Sequence, residues 1–81
     1  MPDYTVYILQ NPEGKFYIGQ TRNLNERLKR HAEDRSTYTK GKGPWKLIHQ
    51  EAYTTRADAL KREKQLKKWR RELIQRLIQK E

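Results

Sequence analysis

Glu63 stands in the most basic stretch of the chain. Between Arg56 and Arg71 it shares that stretch with Arg56, Lys61, Arg62, Lys64, Lys67, Lys68, Arg70 and Arg71, and the other acid is Asp58. Helical angles place Glu63 between Ala59, Leu60 and Leu66, near the centre of an apolar stripe. A carboxylate there is costly unless it meets a cation or takes up a proton. Two partners would satisfy it. One is a nearby Arg or Lys. The other is a hard divalent cation, Mg²⁺ foremost, which prefers oxygen donors and keeps most of its waters. One carboxylate makes a weak, open site that fills properly only when a phosphate arrives.

Arg27 and His31 are spaced i, i+4. With Leu24, Leu28 and Ala32 as the buried line of a helix, His31 falls about 60° from it and Arg27 about 100°, on the same flank. That flank is the rim of a core, where a side chain rests on apolar neighbours and presents its head to a ligand. An ordinary boundary histidine, and an arginine paired with Glu26, are the plainer readings. Tyr7 and Tyr17 lie one in each strand of a hairpin. They share a face only if the register has an even sum, such as 7 opposite 17. Such a register needs an odd-length connection, which a bulge at Gly14 supplies. Otherwise they simply pack in or over the core. On one face with Arg27 and His31, they would surround a single point. Gly19 either ends its strand or lets a phosphate backbone approach where a Cβ would obstruct it.

The elements that must position these residues are legible. Tyr4-Thr5-Val6-Tyr7-Ile8-Leu9 is β-branched and aromatic and predicts a strand. Asn11-Pro12-Glu13-Gly14 is turn chemistry, and Phe16-Tyr17-Ile18 is a second strand ended by Gly19. Asn23 caps a short amphipathic helix, with Glu26 placed for a capping-box contact. Residues 33–44 read as a basic loop and Trp45 to Tyr53 as a third strand. Thr55 caps the helical segment after it. Ala59, Leu60, Leu66, Leu73, Ile74, Leu77 and Ile78 keep to one broad stripe. A single helix over 56–80 would be about 37 Å long, too long for so small a domain. A break near Lys68 to Arg71 is therefore expected. The order is ββαβαα, an α+β fold with three helices flanking a small three-stranded antiparallel sheet, in one domain over 1–81.

Composition bounds the partners. The 81 residues carry 19 Lys+Arg against 10 Asp+Glu, a net charge of +9, and no Cys. Residues 1–40 hold seven Lys/Arg and five Asp/Glu, whereas residues 41–81 hold twelve and five. A large enclosed ligand cavity, a disulfide scaffold and a Cys-based zinc site are excluded. No apolar run approaches the roughly 20 residues of a membrane span, and no signal-peptide pattern opens the chain. The expectation is a monomeric cytoplasmic protein, nucleoid-associated where it meets DNA, with polyanionic partners. Lys40, Lys42, Arg56, Lys61, Lys64, Lys67 and Lys68 are the candidate phosphate contacts, unless they form only a solvated face. Two Trp and five Tyr among the charges suit nucleic acid.

The ordered set resembles the GIY-YIG nuclease superfamily. Tyr17-Ile18-Gly19 is the second half of its signature, and Thr5-Val6-Tyr7 is a degenerate first half that keeps the tyrosine. The segment from Gln20 to His31 resembles the family's helix, with Arg27 and His31 in place, and Leu60-Lys61-Arg62-Glu63 its metal-binding glutamate segment. The loop from Tyr38 to Leu47 is similar to that of small stand-alone bacterial members related to the excision-repair incision subunit.

The resemblance implies a Mg²⁺- or Mn²⁺-dependent endonuclease acting on structured, branched or damaged DNA, with RNA an open alternative. Tyr7 or Tyr17 would be the general base, Arg27 would hold the scissile phosphate, and His31 would orient the base or water. Glu63 would bind the metal, and Gly19 would keep the hairpin close to substrate. Thr5 replaces the first glycine, Gln20 stands where several members place a lysine, and the last helix offers Gln75 and Gln79 but no asparagine. These departures define an alternative: a non-catalytic nucleic-acid-binding module that keeps the fold. A basic protein-interaction module rests on charge alone. With no separate DNA-binding domain in the chain, target choice would fall to a partner protein.

Overall fold

Val6, Tyr7, Ile8 and Leu9 form an unbroken apolar run, and a strand that carries one must be covered on both faces. All are buried in the computed structural model, and their strand, β1 (Tyr4–Gln10), is the middle one. The structure describes residues 3–32 and 44–79, with the side chains of residues 31 and 32 left out. The other strands are β2 (Phe16–Thr21) and β3 (Lys46–Tyr53), both antiparallel to β1, in the order β2-β1-β3. The helices are α1 (Leu24–Ala32), α2 (Arg56–Lys68) and α3 (Arg71–Gln79). The sequence order ββαβαα is the observed one.

Alternation along the strands separates a core face from a site face. Val6 and Ile8 of β1 and Ile18 of β2 pack with Ala59 and Leu66 of α2 and Ile74 of α3. Phe16, Ile48, Tyr53, Trp69, Leu77 and Ile78 close around them. Burying each of the larger aliphatic side chains contributes about 1.5–3 kcal/mol. Tyr7, Leu9, Tyr17 and Gly19 belong to the opposite face of the hairpin.

Gly19 does not end its strand as the sequence reading expects; β2 continues through Gln20 to Thr21, both paired with β1. Asn23 accepts from the Glu26 N–H at 3.1 Å, so the cap is present. The reciprocal half of a capping box is not: Asn23 N–H donates to Thr21 Oγ1, and the Glu26 carboxylate turns to Arg30. Thr55 caps α2 by accepting from Asp58 N–H.

The long apolar stripe breaks where the length argument puts it, without a glycine or proline. Trp69 is extended at φ −73°, ψ 145°, and its N–H bonds the Leu66 carbonyl. Its ring packs on the core with the Arg62 guanidinium 5.0 Å from its centroid. Seating a Trp outweighs one more helical turn. The break also takes Leu73 off the buried stripe, where its helical spacing puts it; it is 44% exposed. The basic loop over 33–44, apart from Pro44, lies outside the described residues.

One polar knot on the core face has no counterpart in the sequence reading. His49, Glu51 and Tyr53 alternate along β3 and so share a face. Glu51 accepts from Arg62 of α2 at 2.8 and 3.0 Å and from the Tyr53 hydroxyl at 2.7 Å, and His49 Nε2 lies 2.8 Å away. Burial by itself would raise the Glu51 pKa; these hydrogen bonds more than offset it and hold the carboxyl down at about 2. The same burial, with donation to Glu51, pushes Tyr53 up to about 12.

A depressed carboxyl pKa stabilises the fold fully above its ordinary value of 4.5, and that stability is lost as pH falls towards 2. The difference is worth roughly 3 kcal/mol. Urea unfolding of the wild type should show this loss between pH 4.5 and 2. A Glu51→Gln variant should start less stable at pH 7 and show a flatter dependence across that window.

Candidate active site

The hairpin connection sets the geometry. Asn11 accepts from the Gly14 N–H through its carbonyl and from the Lys15 N–H through Oδ1, at 2.9 and 2.8 Å. Gly14 follows at φ +84°, a conformation that disfavours a side chain. The connection between Gln10 and Phe16, which face one another, is therefore odd in length. The register has an even sum: Tyr7 faces Gly19 and Leu9 faces Tyr17. Tyr7 and Tyr17 are thus diagonal neighbours on one face, with ring centroids 6.1 Å apart.

Tyr7 is buried, at 1% exposure, and Tyr17 is half-buried. Burial first, and the neighbouring Tyr17 next, push the Tyr7 phenol well above its ordinary pKa. Arg27 acts the other way, while a hydrogen bond to Tyr17 and the charge of Glu63 add to the rise. Tyr17, Arg27 and Glu63 therefore all act on the Tyr7 hydroxyl, from β2, α1 and α2. Trp45 stands edge-on to Tyr17 at 6.3 Å.

Gly19 is required for a different reason from the expected one. A Cβ there would lie 2.7 Å from Tyr7 Oη, 2.9 Å from Tyr7 Cζ and 3.3 Å from Tyr17 Cε1. The space is filled by the tyrosines themselves, not held open for a phosphate backbone.

Glu63 shows the plainer of its two sequence readings, an ion pair with a basic neighbour. Its side chain is only 14% exposed, and Lys67 Nζ sits 3.0 Å from Oε2, one helical turn on. The expected salt bridge is present. Among the described residues, no group of three or more His, Cys, Asp or Glu could hold a metal ion.

The remaining candidates do not gather in one place. Arg56, at the start of α2, lines a cleft of about 390 Å³ with Tyr4, Arg22, Arg27 and Arg30. Lys67 borders a broader groove with Phe16, Tyr17 and Trp69, and Lys61 a shallow one beside Tyr53 and Arg62. Lys64 and Lys68 are exposed on α2. The His31 side chain, Lys40 and Lys42 lie outside the described residues. Sequence reasoning misses Arg22 and Arg30, because each is unremarkable in the chain and only the fold brings them to Arg27.

The family model described as the GIY-YIG catalytic domain matches residues 3–77. A UPF0213 protein of Staphylococcus epidermidis is 36% identical over 80 residues, spanning 98% of both chains. A UPF0213 protein of Staphylococcus aureus is 37% identical over 79 residues, spanning 96% of both. The solution NMR structure of the UPF0213 protein BH0048 from Bacillus halodurans superposes with a TM-score of 0.62 at 31% identity, over 94% of this chain and 82% of that one.

Gly19→Ala forces an alanine methyl onto a buried ring. It should cost about 1–3 kcal/mol in urea unfolding. The cost should shrink in a Tyr7→Phe background, where the nearest contact, the hydroxyl, is gone. An equal cost in both backgrounds would show that the tyrosine is not what the glycine accommodates.

Proposed function

The chain belongs to the GIY-YIG family, a nuclease family, and on that footing we propose that it is a divalent-metal-dependent endonuclease that hydrolyses phosphodiester bonds in structured or damaged DNA. The observation that supports this reading is the pairing of Tyr7 and Tyr17, ring centroids 6.1 Å apart, at a phenol whose ionisation also responds to the charges of Arg27 and Glu63. Hydrolysis of a phosphodiester needs a base for the attacking water, neutralisation of the phosphoryl charge and a fixed line of attack.

The phenol pair takes the proton of the water. In the resting chain burial keeps Tyr7 neutral, and Arg27 opposes that burial. Arg27 is half-buried, so its guanidinium is pre-oriented to grip the non-bridging oxygens of the scissile phosphate. Glu63 is the carboxylate that would hold Mg²⁺, and the ion would supply positive charge to the phosphoryl group and favour the phenolate. Lys67, now paired with Glu63, would have to yield its place to the cation. Its ammonium is 55% exposed on a flexible stem, so it turns to solvent at little cost. His31 follows Arg27 by one turn of α1 and would orient the water or the base.

A second reading, a nucleic-acid-binding module without turnover, is favoured by the depth of Tyr7 and by the Lys67 ion pair at Glu63. One experiment separates the two. Nicking of supercoiled plasmid and cutting of flapped and branched oligonucleotides are measured with Mg²⁺ or Mn²⁺. Arg27→Ala should lower turnover about 10²–10³-fold, and Tyr7→Phe and Tyr17→Phe should each slow it, the base by about 10²–10⁴-fold. Wild type and Glu63→Ala sharing the same trace activity across the panel would leave the binding module as the answer.

A further inference from the structure

Arg22, Arg27, Arg30 and Arg56 come from three places in the chain and line one cleft. Tyr4, Gln20, Thr21, Asn23 and Glu26 complete its wall. The charge balance is lopsided, because among the described residues Glu26 is the one acid in the lining and it is already engaged by Arg30 Nη2 at 3.3 Å. Among the described residues no carboxylate pairs with Arg22, Arg27 or Arg56. Two of the four guanidinium groups are held in place by the protein itself. Arg22 lies 5.6 Å from the Tyr4 ring centroid, and Arg30 is tethered by Glu26. Each keeps donors free, and orienting them in advance removes part of the entropic cost of binding.

Arginine rather than lysine gathers here, while the lysines of α2 spread over solvent. The planar fork of arginine matches phosphate oxygens two at a time. Arg27 lines this cleft, and its charge also acts on Tyr7.

From this we infer that the arginine cleft is a second phosphate subsite, which grips a phosphodiester next to the scissile one on the same nucleic-acid strand. The placement rests on Arg27 holding the scissile phosphate, as proposed above. The cleft is open and polar and bounded by forks, which suits a sugar–phosphate backbone. It would fix the register of the strand across the phenol pair without reading sequence.

The test is binding of a fluorescent oligonucleotide in EDTA, so that no step of cleavage enters. Arg22→Ala/Arg56→Ala should weaken binding by about tenfold or more at low salt. Its plot of log K against log salt should be shallower by roughly 1–2 than the wild-type plot. Both residues are exposed, so thermal melting should be close to wild type. Lys15→Ala/Lys46→Ala, at exposed lysines outside the cleft, should leave the slope nearly unchanged. An arginine variant that binds as wild type, or a lysine variant that loses the slope instead, overturns the subsite whatever the cleavage assay gives. Loss of slope in a chain that never cuts keeps the subsite and removes the nuclease. Inorganic phosphate at matched ionic strength should not displace the oligonucleotide; displacement at micromolar phosphate would make the cleft a small-anion site and overturn the inference.

Discussion

Tyr7 lies across the sheet from Gly19, and its hydroxyl fills the space a Cβ would need. That one packing constraint organises the site. A side chain at 19 would push the ring off the strand, and a register slip of one residue would send Tyr17 to the core face. The five residues between Gln10 and Phe16, with Gly14 at positive φ, prevent the slip. The hairpin tip is in turn fixed to the last helix. Arg71 of α3 lies 5.1 Å from the Phe16 ring centroid, against Gly14. The site geometry is therefore held from both ends of β2.

A domain of this size has little core to spare, and the knot at Glu51 does part of the work. Arg62 reaches across from α2 to β3, and Glu63, the next residue, acts on Tyr7 of β1. Lys67, one turn on, borders the groove beside Tyr17 and Ile18 of β2. One helix thus touches all three strands in sequence. Its axial position is set by a bidentate Arg–carboxylate pair, a contact with far less freedom than packed methyl groups. The depth of Glu63 follows from where Arg62 is held.

Much of this is legible in the residues. Strand order inside the hairpin, both helix caps and the break at Trp69 follow from local rules of propensity, capping and length. The even register is one of two options, and the turn chemistry around Gly14 is the signal that favours it. What stays hidden is tertiary. Glu51 and His49 look like ordinary polar residues of a half-exposed strand until α2 brings Arg62 over them. Arg22 and Arg30 are two basic residues among nineteen Lys and Arg. Only the fold of α1 against the start of α2 shows that they share a wall. Gly19 stands out in the sequence but its cause does not, because a close approach from outside and a close approach from a neighbouring ring leave the same mark there.

The two partners considered for Glu63, a basic side chain and a divalent cation, need not compete. A half-buried carboxylate cannot wait unpaired for a weakly held ion. An arginine fork in that position would be hard to dislodge. A lysine, strongly hydrated and mostly exposed, neutralises the carboxylate and gives little resistance to replacement. The same logic applies at Tyr7, where a phenol kept neutral by burial is chemically quiet until cations gather around it. On the proposed reading, both groups would rest in quiet forms until charge arrives with a substrate. A net charge of +9, broad at the level of the whole chain, favours polyanionic partners in general. The arginines gathered at Arg27 are the feature that would give such a partner one place along the sheet.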